Sequence, residues 1–200
     1  GMLPKLEGTI HVNMALVVKF MANYFFAPAD FPEIHQRREP VNDDFLFNQG
    51  PTKGLGKIQF HDYQLAYASV DLPNVQIFAQ QIAIFKAMLA AASPTDEQTR
   101  DIDFLLNVGE LFTLVAYGQL MIENARIYAV DDDLLDQIFD FMIRDFSKYA
   151  LQLYSKTSST AAQMDHCLQM IRKPVVNPER FERIWREHAY ALADAYTMDD

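Results

Sequence analysis

Several sets of residues in this chain have types and spacings that could do chemistry. Gly50, Gly54, Gly56 and Lys57, in the run GPTKGLGKI, are residue types that cradle phosphate. A phosphate loop requires four residues between its two glycines, and a Ser or Thr after the Lys to coordinate magnesium. Here five residues separate Gly50 from Gly56, Ile58 follows Lys57 and no strand pattern precedes the run, so a flexible basic turn is expected. The five histidines are His11, His35, His61, His166 and His188. None stands in the Glu-x-x-His motif of di-iron or di-manganese bundles or the His-Glu-x-x-His motif of zinc proteases, and no metal site is expected. Asp165, His166 and Cys167 are consecutive, but neighbours one apart on a helix do not face each other.

Charged residues offer two further candidates. Arg180, Arg183 and Arg186 repeat every three residues, with Arg172 and Lys173 nearby, and could bind a phosphate. Glu179, Glu182 and Glu187 are interleaved with them, which favours a salt-bridged, exposed helix face. Glu110 lies within an apolar stretch, where burial would raise its pKa. A hydrogen bond to a neighbouring helix is the favoured role.

The elements that must position these residues read as helical almost throughout. From Thr9 to about Phe26 the chain is apolar on nearly every side, and Pro28 and Pro32 stop the helix. A helix apolar all round has to be buried on most sides, by its own bundle or by a second chain. Residues 27–60 hold Pro28, Pro32, Pro40 and Pro51 with Gly50, Gly54 and Gly56, so an irregular linker is expected there. Residues 61–200 read as a helical bundle. A short helix spans Asp62 to Ser69, and Pro73 opens one to about Ala92. Thr95 and Gln98 form a capping-box signal for a helix reaching Ala129, with Gly109 and Gly118 inside it at sites of close packing. Asp131 to Asp133 offer the next N-cap, for a helix with Leu135, Phe139, Met142, Ile143 and Phe146 at helical spacing. Ser158 and Ser159 cap a helix to about Arg172, and Asn177-Pro178 opens the last one, through Tyr196. No alternating strand pattern occurs. The expected fold is all-α: a helical bundle with an apolar amino-terminal helix (residues 1–26) joined by a long irregular connection.

Composition bounds the function. In 200 residues, 17 Lys and Arg face 27 Asp and Glu, for a formal charge of −10. Such a balance argues against nonspecific binding to nucleic acid or an anionic membrane. The single Cys167 excludes an intrachain disulfide framework and fits a reducing cytosol. No secretory signal leads the chain, and Gly1 before Met2 reads as a tag-cleavage scar. Residues 12–26 carry Asn13, Lys19 and Asn23, and residues 104–122 carry Asn107, Glu110 and Gln119; neither stretch is expected to cross a membrane. Nine Met, fifteen Phe and nine Tyr point to a core or an interface.

The run Leu6-Glu7-Gly8-Thr9-Ile10-His11-Val12, leading into an apolar helix, resembles a motif near the end of the catalytic core of acyl-CoA dehydrogenases. The rest of the chain, in GELFTLVAYGQLMIENARIY and DLLDQIFDFMIRDFSKYALQLYSK, is similar to the carboxy-terminal helical extension of longer bacterial members. The resemblance implies that Glu7 is the catalytic base for the substrate α-proton, Gly8 lies beside the acyl-CoA thioester, and Thr9 and His11 neighbour the FAD. The family usually has Gln or Glu where this chain has His11. Only the last helix of the catalytic core would be present, so the chain is expected to be part of a longer or split enzyme. By itself it is expected to bind no FAD. A homodimer is the expected assembly, with a catalytic core subunit as a further partner. The alternative is a non-catalytic helical module that dimerises through residues 10–26.

Overall fold

The computed structural model describes residues 17–29 and 60–195. Within them the protein is all-α, as the helical periodicity and the scarcity of strand signals require. After a 3-10 turn at Val18–Phe20, the helices are α1 (Met21–Phe26), α2 (Tyr63–Ala68), α3 (Pro73–Ala91), α4 (Ile102–Tyr128), α5 (Asp132–Tyr154), α6 (Ala161–Met170) and α7 (Pro178–Ile184). Between α1 and α2 the backbone N–H of Ala29 donates to the Phe60 carbonyl at 2.8 Å, and Ala29 and His61 form an isolated parallel bridge. The two ends of the connection therefore meet.

Local chemistry sets the helix boundaries. Asp62 caps α2 by accepting from the Gln64 N–H, and Asp131 caps α5 through Leu134. Pro73 starts α3, yet the preceding Leu72 has no capping side chain. Its role passes to Asp136 of α5, whose Oδ1 accepts from the Asn74 N–H at 2.8 Å. The Thr95–Gln98 capping box forms, but around a 3-10 turn at Gln98–Arg100. Asp101 then turns extended and caps α4 itself, accepting from Asp103 and Phe104. Two caps within seven residues split what the sequence reads as one helix start. At α6 the cap is Thr160, with Gln163 closing the box. Ser159 instead donates to the Leu153 carbonyl at the end of α5. The two box glutamines also pair reciprocally, Gln98 Nε2 to Gln163 Oε1 at 2.8 Å and Gln163 Nε2 to Gln98 Oε1 at 2.9 Å.

Central α5 packs against α3, α4, α6 and α7. Its apolar face, Leu135, Phe139, Met142, Ile143, Phe146 and Leu153, is buried. The core is aromatic: Phe25, Phe78, Phe85, Phe104, Phe139 and Phe146 are fully buried. Their rings meet mostly edge to face, as at Phe25–Phe85 (5.8 Å), Phe85–Phe146 (6.0 Å) and Phe78–Phe139 (5.4 Å), the arrangement favoured by ring quadrupoles. Helix α1 thus shares one core with the helices beyond residue 60. At Gly118, α4 passes close to α2. The Tyr67 hydroxyl donates to the Val115 carbonyl at 2.8 Å, and an added Cβ at Gly118 would press into that hydroxyl. By length and composition α4 could cross a bilayer, and half of its most apolar window is buried inside the bundle.

Candidate functional site

Glu7, Gly8, Thr9 and His11 lie outside the described residues, as do His35 and the run from Gly50 to Lys57. Residues 17–29, downstream of the Glu7 run, are described. Tyr24 and Phe25 of α1 are buried. The Tyr24 ring stacks on Tyr63 of α2 at 5.3 Å and meets Phe112 of α4 edge-on at 5.1 Å. Its hydroxyl donates to Gln119 Oε1 at 2.6 Å, and Gln119 Nε2 donates to Glu123 Oε1 at 2.8 Å. His61 Nδ1 stands 3.6 Å from the same carboxylate oxygen. Four polar side chains from three segments thus run from the core to the half-buried His61.

The chemistry of these four side chains is positional. Burial, with Tyr63 and Glu123 adding to it, pushes the Tyr24 phenol far above its ordinary pKa, so it stays a donor. The Glu123 carboxylate only accepts, which fixes the Gln119 amide with its oxygen toward Tyr24. An amide between the phenol and the carboxylate blocks direct proton exchange between them. The arrangement pins α1 to α4.

The other candidates resolve into structural pairs. Arg180, read as part of an exposed face, is buried. Its guanidinium pairs with Asp136, lies 4.0 Å from Asp140 Oδ2 and donates to Gln137 Oε1 at 3.3 Å. Asn74 joins this network through Asp136 and exchanges two hydrogen bonds with the backbone of Val175. Arg183 pairs with Asp133 and His188 with Asp131. The partners of Arg180, Arg183 and His188 are therefore the aspartates of α5 and its cap, not the interleaved glutamates. The reason is that α7 lies against α5, and a buried guanidinium requires a carboxylate within reach. Glu110 accepts from Asn107 Nδ2 of its own helix at 3.1 Å. His166 bonds the Ala162 carbonyl at 2.8 Å, whereas Cys167 is buried and its thiol is pushed up to about 12 by desolvation. The two point apart, as adjacent helical residues must. Among the described residues no group of three or more His, Cys, Asp or Glu is arranged to hold a metal.

Sequence reasoning missed Asn74, Gln119, Asp136 and Asp140. A signal existed for one pair: Asp136 and Asp140 stand four apart within the apolar face of α5, and carboxylates there need a partner. No family model, curated protein or solved structure matches this chain.

Proposed function

We propose that this chain is the carboxy-terminal part of a flavin-dependent acyl-CoA dehydrogenase, either a piece of a longer polypeptide or one subunit of a split enzyme, and inactive by itself. The observation that carries the reading is the anchorage of α1. Downstream of the Leu6-Glu7-Gly8-Thr9 run, α1 holds Tyr24 and Phe25 in the aromatic core, as a last core helix packed on its extension would. In the complete enzyme Glu7 takes the α-proton of an acyl-CoA, Gly8 lies beside the thioester, and Thr9 and His11 neighbour the flavin. FAD, when bound, supplies the hydride acceptor. A general base needs its carboxylate within hydrogen-bond reach of the proton it removes. The substrate and flavin walls belong to other segments, so the isolated chain binds neither FAD nor acyl-CoA. The reading carries with it a cytoplasmic location.

The test is acyl-CoA oxidation by the complete enzyme with an artificial electron acceptor. Glu7→Gln should abolish turnover while leaving FAD bound. Turnover by the isolated chain, or undiminished activity of Glu7→Gln, overturns the proposal.

A second reading, a non-catalytic helical interaction module derived from such an enzyme, is favoured by one observation. Phe181 and Trp185 stack at 6.5 Å, Tyr190 meets Trp185 edge-on at 5.6 Å, and all three are exposed. Light scattering should then show a dimer without any catalytic partner. Trp185→Ala would break a dimer held through these rings, and Leu16→Asp or Phe20→Asp one held through the amino-terminal helix.

A further inference from the structure

Helices α2 and α3 leave an open groove of about 350 Å³ between them, within the size range of small-ligand sites. Its walls include Tyr67, Ala79, Ile82 and Ala83, and Tyr63 and Lys86 also line it. The Lys86 ammonium lies 5.4 Å from the Phe26 ring centre and 5.8 Å from that of Tyr63. Four lysines and arginines among the described residues are less than fully exposed: Lys86, Lys156, Arg180 and Arg183. Three of them hold an aspartate, namely Asp103, Asp136 and Asp133. Lys86 has no ion pair among the described residues. The Tyr63 hydroxyl likewise has no hydrogen bond among them. Burial, with the Asp62 charge adding to it, pushes that phenol up to about 12, so it remains a donor at neutral pH.

We propose that this groove binds a small anionic amphiphile, a medium-chain carboxylate whose head meets Lys86 and whose tail lies along Tyr67, Ala79, Ile82 and Ala83. Charge complementarity selects the occupant. A cation held against two aromatic faces lacks, among the described residues, the counter-ion that Lys156, Arg180 and Arg183 possess, and a charge-assisted hydrogen bond supplies one. The apolar walls then reward a tail, by about fourfold in affinity per fully buried methylene. The inference is independent of the function proposed above, since none of these residues belongs to the Glu7 run.

Calorimetric titration of the full chain tests it with decanoate, decanol and acetate as probes. Decanoate should bind saturably at one site, decanol about tenfold more weakly, and acetate not measurably. Lys86→Met should weaken decanoate about tenfold and leave decanol unchanged. Ala83 is exposed in mid-helix, so Ala83→Phe should fold normally by circular dichroism, fill the groove and remove the binding of both tailed probes. Absence of saturable decanoate binding, or equal binding by the parent and both variants, overturns the proposal.

Discussion

Gly118→Ala should destabilise the protein although Ala is the better helix former. Propensity alone favours Ala by about 1 kcal/mol in a helix interior. The new methyl would press into the Tyr67 hydroxyl, and would lie 3.2 Å from both Met142 and Phe78. Tyr67 exposes only 4% of its surface and its hydroxyl is bonded to Val115, so the group cannot swing into water. Losing that buried hydrogen bond costs about 1–3 kcal/mol, and overpacking costs about 1–3 kcal/mol more. Set against the propensity gain, the net loss is about 3 kcal/mol, or a fall in Tm of about 6–12 °C for a chain of this size. Tyr67→Phe removes the obstructing oxygen at a cost of about 1 kcal/mol. In that background Gly118→Ala should come within about 1 kcal/mol of neutral, a coupling of about 2 kcal/mol between the sites. Urea denaturation of the four proteins, followed by far-ultraviolet circular dichroism, completes the cycle. An equal Gly118→Ala penalty in both backgrounds would refute the steric reasoning, and so would stabilisation of the parent.

Other consequences are open to direct measurement. Arg180→Met leaves Asp136 buried without its cation, although Asp140 keeps Arg144 at 2.5 Å, and should cost about 3–5 kcal/mol in urea unfolding while exposing residues 171–195 to limited proteolysis. A loss below about 1 kcal/mol would mean that the ion pairs are not the clamp. Native Cys167 should resist iodoacetamide at mildly alkaline pH and react fully in denaturant, because burial raises its thiol to about 12; rapid native labelling would contradict its packing. Partial burial pushes the Asp131 carboxyl up, but the Leu134 N–H and His188 outweigh it and hold the carboxyl below its ordinary value. Its folded value being the lower, its stabilisation is present above the unfolded carboxylate pKa and is lost as pH falls through the folded one. From about pH 5 to about pH 2 the parent should therefore lose more stability than Asp131→Asn, which keeps a capping side chain without the charge. Equal losses would show that the carboxylate contributes nothing there.

Helix starts were the most legible part of the sequence because their causes lie within a few residues. Asp62, Pro73, Asp131 and Asn177-Pro178 open helices where they stand. Helix ends and exposure depend on what packs above them. The last helix, expected through Tyr196, leaves α geometry after Ile184 for a π turn at Trp185–Ala189 and a 3-10 turn at Tyr190–Leu192. Arg180, Arg183 and Arg186 look alike in sequence, yet the first is buried, the second half-exposed and the third exposed; only the position of α5 distinguishes them. The polar anchors were illegible for the same reason. Tyr24 and Gln119 are 95 positions apart, and Asn74 and Asp136 are 62 apart. Nothing local marks either partner.

The hydrogen bond between Ala29 and Phe60 has a consequence for how this chain can change. Ala29 and Phe60 are neighbours in space although 31 positions apart, so whatever chain joins them has to begin and end at one place. The entropy of closing a flexible loop grows only logarithmically, so doubling its length costs about 0.6 kcal/mol. That is less than the contribution of a single buried methylene, about 0.8 kcal/mol. On closure entropy alone, lengthening the chain that joins Ala29 and Phe60 should thus cost the described seven-helix scaffold little. A tie of this kind lets selection alter the length of what it closes while the helices stay as they are.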